Sequence, residues 1–348
     1  MSLDFLHRHG AVRMANYEPQ LPLLDSPEDD EVPAGVVLDY EVDSDAWEAI
    51  SLSTRVGWRA ADWTERPVRF VDGSDRGRTI AWLRAPGGYP VPVRLGEIGA
   101  VAVRTDDGRC RRECAEVERV VAMVIDPFPW DEVEAFATAL PAHGLRLLPA
   151  AAPGGRPSHD FEEMRKAGQN RTMTEMGALE EAVLARTEAV PTIVDGRLEP
   201  RAGGLSPGVP VAGVIKTHRL NYLHPAGLRT LYDLEPGECT PIFALPQEKF
   251  PVASWFVRLA GANRAMPTWG TVRVEVPLAW LDGFPDSVAR YHYVTCLSRL
   301  LCDYRSRSST YARAAVSLEP IVRAEDLLKA LFTAPNRLAA GFYHLAKF

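Results

Sequence analysis

The chain has 348 residues, of which 46% are hydrophobic and 24% are charged, and this is the composition of an ordinary globular protein. A net charge of −7 excludes nucleic-acid binding by bulk positive charge, but it is compatible with an enzyme that binds DNA in a local groove. The sequence has neither an apolar run of membrane-spanning length nor the apolar core of a signal peptide, so we expect a cytoplasmic protein. Five cysteines over this length do not indicate a disulfide framework.

The first part of the chain differs in composition from the rest. Residues 18–35 are rich in proline and acidic residues, which predicts a mobile arm. We therefore divide the chain into an N-terminal arm or linker, residues 1–43, and one folded domain, residues 44–348. The domain is predicted to open with a helix over residues 44–60.

The central and C-terminal parts alternate between strand-like and helix-like patterns. Residues 68–74 form an apolar run that is predicted to end in a turn after Asp72. Three further strands are predicted at 79–85, 97–105 and 117–126, which together suggest an antiparallel meander. Helices are predicted at 130–141, 160–187, 286–302, 308–318 and 324–332, and strands at 191–198, 211–218, 241–246, 254–260 and 271–277. This order predicts an α/β fold with a mixed sheet flanked by helices.

Two aspartates are the strongest candidates for chemistry. Asp72 and Asp195 each follow an apolar strand and precede a glycine, and the helix between them carries several glutamates. Hard divalent cations bind rigidly held oxygen ligands, and a pair of such ions hydrolyses phosphodiester bonds. An isolated Asp-Gly pair more often marks a simple turn. The combination, in this order, favours a metal site.

Four segments in order carry a family resemblance: FVDGS (70–74), RTMTEMGALEEAVL (171–184), TIVDGRL (192–198) and AGVIKTH (212–218). Over residues 45–335 this set resembles the NurA nucleases. The resemblance implies an RNase H-like fold and nuclease activity on DNA ends and single strands, with two Mn²⁺ or Mg²⁺ ions as cofactor. It also implies a homodimer that docks on a HerA-type hexameric ATPase, in DNA repair or in phage defence.

The same resemblance implies particular metal ligands. Asp72 and Asp195 match the two strand aspartates of the family. Glu175 is the preferred helical ligand because it follows Arg171 by one turn, and Glu180 remains an alternative. The family's C-terminal His or Asp has no direct counterpart, and Glu319 stands near its position. The resemblance thus implies the metal ligands Asp72, Glu175, Asp195 and Glu319.

Basic residues near the strand ends are candidates for DNA contacts. Lys216 is expected to neutralise the scissile phosphate, although it is equally typical of an edge strand. Further DNA contacts are expected at His218, Arg219, Arg258 and Arg273. For the last two, the alternative is a cross-strand salt bridge.

Two other functions remain open on the sequence. An inactive NurA-like adaptor would bind DNA or the ATPase without cutting, and the missing C-terminal ligand favours it. An actin-like sugar or acetate kinase would also open with an Asp-Gly-Ser phosphate loop, but a second glycine-rich loop is absent from the sequence. A GxxxxGK[ST] loop is absent too, so any motor must be another protein.

Overall fold

A computed structural model describes most of the chain: residues 3–14, 39–40, 46–53, 63–106, 109–151, 159–217, 223–245, 250–261, 266–308 and 313–347. The acidic segment 18–35 lies outside the described residues, as do His218 and Arg219. Within the described part, no helix combines the length and apolar character needed to cross a membrane.

One large mixed sheet forms the centre of the described structure. Its strands run in the order β2-β11-β12-β13-β9-β8-β4-β5-β6-β7, with β1 beside β4, β10 beside β12 and β3 beside β10. The strands are β1 (Val12–Arg13), β2 (Asp39–Tyr40), β3 (Ile50–Ser51), β4 (Arg69–Arg84), β5 (Pro90–Asp106), β6 (Arg109–Val124), β7 (Arg146–Ala150), β8 (Thr192–Asp195), β9 (Val211–Ile215), β10 (Glu238–Cys239), β11 (Phe243–Leu245), β12 (Val252–Arg258) and β13 (Thr271–Pro277). The β4–β8, β8–β9 and β6–β7 pairs are parallel and the others antiparallel.

Helices cover both faces of this sheet. They are α1 (Asp4–Arg8), α2 (Trp130–Ala139), α3 (Phe161–Arg186), α4 (Pro225–Asp233), α5 (Leu278–Asp282), α6 (Ser287–Tyr304), α7 (Glu319–Leu331) and α8 (Pro335–Leu345). Side chains alternate between faces along a strand. On β4, Phe70 packs into the cluster that holds Leu301 of α6, whereas Val71 packs into the cluster that holds Val183 of α3. The predicted α/β class, a mixed sheet flanked by helices, is confirmed.

The chain's first described residues are part of the core. Leu3, Phe5 and Leu6 are buried, and the Phe5 ring contacts the rings of Phe128 and Phe136. Strand β1 then pairs with β4. The helix and strand within residues 3–13, a segment that the sequence assigns to the arm, therefore pack against the sheet.

The predicted turn after Asp72 is wrong. Strand β4 continues through Asp72 and Gly73, because β5 pairs with it residue by residue, with Asp72 opposite Val101 and Gly73 opposite Ala100. The two strands predicted at 68–74 and 79–85 are one long strand. Asp72 consequently lies in the middle of a strand rather than at its end.

Two helix predictions are also wrong for the residues that the structure describes. Of the helix predicted over 44–60, residues 47–53 are not helical, and Ile50–Ser51 instead forms β3 against Glu238–Cys239. Tertiary strand pairing here overrides local helix propensity. Of the helix predicted over 308–318, residues 313–318 form turns and a single bridge. Pro320 lacks an N–H group and fits only the first turn of a helix, so α7 begins at Glu319.

The end of β8 positions the candidate site. Residues Arg69–Val71 of β4 pair in parallel with Thr192–Val194, and β8 stops one residue later at Asp195. Asp72 and Asp195 are therefore next to each other at the carboxyl end of β8, which in open α/β sheets is the usual place for a ligand. On β5, Gly99 has no side chain, and Leu328 and Phe332 sit against it, so α7 lies close to this part of the sheet.

Candidate metal centre

Three carboxylates converge on the α7 face of the sheet. One oxygen from each of Asp72, Asp195 and Glu325 lies within 4.8 Å of the other two. Asp72 comes from the middle of β4, Asp195 ends β8, and Glu325 projects from α7. Two adjacent parallel strands and one helix packed over β4 thus bring together three acids that are far apart in the sequence.

Asp72 is the least solvated member of the cluster. Its side chain is 5% exposed, and its Oδ2 atom is buried without a hydrogen-bond partner in the described structure. Burial raises the pKa of Asp72 well above its ordinary value, and the neighbouring charge of Asp195 raises it further. Lys216 lowers this pKa, while Glu180 and Glu325 add smaller upward contributions. The surroundings of Asp72 therefore disfavour its charged form, chiefly through burial and then through the neighbouring carboxylates.

Two lysines border the carboxylates. Lys216 follows β9, and its Nζ donates to Oδ2 of Asp195 at 2.6 Å. Lys329 lies one turn beyond Glu325 on α7, and its Nζ donates to Oε2 of Glu325 at 3.2 Å. The structure thus places Lys216 at the carboxylates, where the sequence analysis expected it. Among the described residues, Lys216 pairs with Asp195, and Lys329 pairs with Glu325 and, at 3.7 Å, with Asp326, while no lysine or arginine pairs directly with Asp72.

The cluster has the donor set of a divalent cation site. Ca²⁺, Mg²⁺ and Mn²⁺ prefer carboxylate oxygens, and Mg²⁺ is usually held by one or two carboxylates together with water and substrate phosphate. A cation here would supply the partner that Asp72 Oδ2 lacks, and it would relieve repulsion among three acids. The residues therefore fit an ion with oxygen ligands.

Glu180, the alternative helical ligand, lies behind Asp72 on the opposite face of the sheet. Its carboxyl group packs against Gly73, where a Cβ atom would come within 2.9 Å of it. The side chain is fully buried, and Nη2 of Arg201 lies 2.6 Å from Oε2 of Glu180. Arg201 also donates to the carbonyl of Asp195 at 3.3 Å. Glu180 is thus paired with an arginine, and the pair supports the backbone of the site.

Glu175, the preferred helical ligand, is not in the cluster. Its carboxylate bonds to Arg146 at 2.6 Å and to Arg171 at 2.8 Å. Partial burial alone would raise the pKa of Glu175, but the hydrogen bonds from these arginines outweigh that effect and leave the pKa lowered. The arginine that suggested a family pattern in the sequence is, in the structure, an ion-pair partner.

Glu319 is likewise placed elsewhere. It accepts a hydrogen bond from Ser306 at 3.0 Å and pairs with Arg323 at the start of α7. Glu325, which sequence reasoning missed, is the α7 acid that reaches the aspartates. A signal existed in the sequence, because Glu325 lies four residues after Ile321 and three before Leu328, beside the apolar stripe that packs on the sheet.

Comparisons with known proteins add a distant likeness in structure. No family model matches the chain, and no curated protein matches it. Among solved structures, the chain is similar to the NurA nuclease from Sulfolobus solfataricus, at 12% identity and a TM-score of 0.36. That alignment covers 86% of this chain and 87% of the nuclease. The three carboxylates, rather than this likeness, carry the functional argument.

The two strand arginines expected at a DNA channel are inside the protein. Arg258 is fully buried, and its guanidinium donates to the carbonyls of Trp269 at 2.9 Å and Pro267 at 2.8 Å. Arg273 is 3% exposed and lies 3.6 Å from Glu275, two residues along the same strand. Neither side chain is placed to meet a DNA backbone, because both are closed off from solvent.

Proposed function

We propose that the chain is a metal-dependent DNA nuclease whose catalytic ion, Mn²⁺ or Mg²⁺, is held by Asp72, Asp195 and Glu325. The observation that carries this proposal is the buried Oδ2 of Asp72, which has no partner among the described residues and belongs to a group of three carboxylates within 4.8 Å. Burying an ionisable carboxyl group among like charges is unfavourable unless a cation compensates it. Such arrangements are typical of functional sites.

The chemistry proposed is hydrolysis of a phosphodiester bond. When bound, the ion would supply Lewis-acid polarisation of the phosphate and lower the pKa of an attacking water. The two strands would hold Asp72 and Asp195 rigidly, so that little reorganisation is needed during the reaction. Lys216 would place a positive charge beside Asp195, where it is able to stabilise charge that develops on the phosphate.

The central strands support the RNase H-like fold that the family resemblance implies. Strands β4, β5 and β6 form an antiparallel meander, and β8 and β9 then follow parallel to β4. The carboxylates Asp72 and Asp195 lie on the two adjacent strands β4 and β8. A homodimer, a HerA-type ATPase partner, and a role in DNA repair or phage defence remain predictions from the resemblance.

The number of ions follows from the ligands. The described carboxylates form one group that fits one ion, since Glu175, Glu180 and Glu319 are each committed to arginine or serine partners. We propose that a second ion, if the reaction uses two, takes its remaining ligands from the oxygens of the substrate phosphate.

The experiment compares the metal ligands proposed from the structure with those that the sequence resemblance implied. Asp72→Asn, Asp195→Asn and Glu325→Gln remove a proposed ligand each, whereas Glu175→Gln and Glu319→Gln are matched controls that remove an acid outside the cluster. Mn²⁺ affinity is measured by calorimetry, and cleavage of end-labelled single- and double-stranded DNA is measured with Mn²⁺, Mg²⁺ or EDTA. We expect the first three variants to lose metal binding and cleavage, and the two controls to retain both.

Each result bears on a distinct part of the proposal. Full Mn²⁺ affinity in Asp72→Asn would overturn the metal site. Loss in Glu319→Gln together with retention in Glu325→Gln would restore the ligand set implied by the sequence resemblance. Mn²⁺ binding without cleavage, even after addition of a HerA-type ATPase, would overturn the nuclease activity.

One observation favours a second candidate function, that of an inactive DNA-binding or ATPase-docking adaptor. Lys216 and Lys329 already occupy one oxygen each of Asp195 and Glu325, and internal cations of this kind can replace a metal. In that case Lys216→Met would weaken folding without changing any metal affinity. The calorimetric comparison above separates the two functions, because only the nuclease requires a saturable Mn²⁺ site.

A further inference from the structure

One edge of β4 is left without a neighbouring strand directly beside the metal centre. On this edge β8 pairs only as far as Val71, and β1 pairs with Ala81 and Trp82. Between them, residues 73–79 have no strand partner on that side within the described structure. The open stretch begins next to Asp72, so an extended ligand lying along it would reach the carboxylates.

The open stretch carries a line of polar and basic side chains on the face that holds the carboxylates. Asp72, Ser74, Arg76 and Arg78 are alternate residues, so they project from the same face of the strand. Successive members are about 6.6 Å apart, as expected for every second residue of a strand. This repeat is comparable to the separation of neighbouring phosphates along an extended nucleic-acid strand.

The two arginines are held in place by groups other than carboxylates in the described part of the chain. The Arg76 guanidinium lies over the ring of Phe332, 5.6 Å from its centre, and Arg78 donates to the side-chain oxygen of Asn336 at 3.3 Å. Both side chains are half-buried. Glu97 lies opposite Arg76 in the sheet, but its oxygens accept from Arg119 and Thr333. Among the residues described, two oriented positive charges are therefore uncompensated by direct ion pairs.

A cavity opens beside these arginines. It has a volume of about 100 Å³ and lies between β4, β5 and α8, with Arg76 and Arg78 on one side and Leu95 and Leu338 on the other. A single water needs only about 15 Å³ of such space. The cavity therefore has room for more than one water, and two of its eight lining residues are these arginines.

We propose that Arg76 and Arg78 form a track for the sugar–phosphate backbone and bind two successive phosphates of the DNA strand whose scissile phosphate lies at Asp72. The inference rests on the proposed nuclease function and adds to it a substrate-binding surface. The ligand is a single nucleic-acid strand, because the two arginines lie on one β-strand and their spacing matches that of successive phosphates in one sugar–phosphate backbone. Arginine is suited to this role because its planar guanidinium binds phosphate oxygens in pairs.

The test measures binding separately from cleavage. Affinity for a labelled single-stranded oligonucleotide is measured by fluorescence anisotropy in EDTA, over a range of salt concentrations, for the wild type, Arg76→Ala and Arg78→Ala. Arg229→Ala is the matched control: it removes the same charge from an exposed position on α4, and α4 packs on the opposite face of the sheet. The slope of log affinity against log salt should fall in magnitude by about 0.7 for each phosphate that the protein no longer neutralises. We expect that change in the first two variants and no change in the control.

A second measurement leaves the protein intact, in case a variant folds poorly. Uncharged methylphosphonate linkages are placed one at a time along the oligonucleotide. In the wild type, two successive positions should weaken binding, and in Arg76→Ala one of them should have no further effect. Arg76→Lys keeps the charge and should keep the wild-type salt slope.

The outcomes separate this inference from the proposed function. Unchanged salt slopes in both alanine variants, or a flat methylphosphonate profile, would overturn the track even if Mn²⁺ binding and cleavage are normal. Arginine-dependent DNA binding in a wild-type protein that binds no Mn²⁺ would support the track and overturn the nuclease. Mn²⁺ affinity should be the same in Arg76→Ala and in the wild type.

Discussion

Replacing Asp72 with asparagine should stabilise the metal-free protein while it abolishes metal binding. Asp72 is 5% exposed, and one of its carboxylate oxygens lies within 4.8 Å of an oxygen of each of two other carboxylates. At that separation one like-charge pair repels by about 3.5 kcal/mol at an effective dielectric constant of about 20. The lysines beside Asp195 and Glu325 offset part of this repulsion, so we expect a gain of about 1–3 kcal/mol in the free energy of unfolding.

The gain should depend on pH in a defined direction. In the unfolded chain Asp72 loses its proton near pH ~3.9, whereas in the folded protein the raised pKa keeps the proton to a higher pH. Between those two values the folded state binds more protons, so stability falls as pH rises through the folded pKa. Above that pKa, the destabilisation caused by the ionised Asp72 carboxylate is fully present. Asparagine cannot ionise, so the variant should lack this contribution.

Thermal unfolding of both proteins between pH 5 and pH 8, with and without Mn²⁺, provides the assay. One kcal/mol changes Tm by about 2–4 °C in domains of 150–250 residues, so the metal-free variant should melt a few degrees higher at pH 8. Mn²⁺ at 100 times its Kd should stabilise the wild type by about 2.7 kcal/mol and leave the variant unchanged. Glu319→Gln, which removes an acid outside the cluster, should respond to Mn²⁺ as the wild type does.

Two results would refute the reasoning. A metal-free Asp72→Asn protein that melts below the wild type at pH 8 would show that like-charge repulsion is not the dominant force at this position. Equal stabilisation of both proteins by Mn²⁺ would show that the ion binds elsewhere.

Three further predictions follow from the same geometry. Glu180→Gln leaves Arg201 buried without its charged partner, and chemical denaturation should show a loss of about 3–5 kcal/mol. Lys216→Met removes the cation that lowers the pKa of Asp72, so this pKa should rise. Mn²⁺ titrations should then show binding that requires a higher pH than in the wild type. An unchanged pH profile would contradict this role of Lys216. Gly99→Ala places a Cβ atom 2.8 Å from a backbone oxygen of β6 and against α7. Denaturation should show a loss of about 1–3 kcal/mol in the free energy of unfolding, and calorimetry should show a weaker affinity for Mn²⁺.

The order of the elements and the two aspartates followed from the sequence alone. Strand and helix periodicities are local properties, and they located α2, α3, α6 and most of the central strands close to their observed bounds. The apolar strands that precede Asp72 and Asp195 were recognisable for the same reason. The role of Asp72 as a turn residue was predicted wrongly, because pairing with β5 carries the strand straight through Gly73.

Only the tertiary structure decided which glutamate joins the aspartates. In local sequence terms Glu175, Glu180 and Glu325 are each an acid near an apolar stripe on a predicted helix, so the helical pattern alone does not choose between them. Contacts between distant segments separate them: arginines from other parts of the fold pair with Glu175 and Glu180, while Gly99 admits α7 close enough for Glu325 to reach the sheet. A carboxylate becomes a candidate metal ligand when the folded chain brings it beside other carboxylates, one of which has a buried oxygen without a partner, and that depends on long-range packing rather than on the residue's own neighbours in sequence.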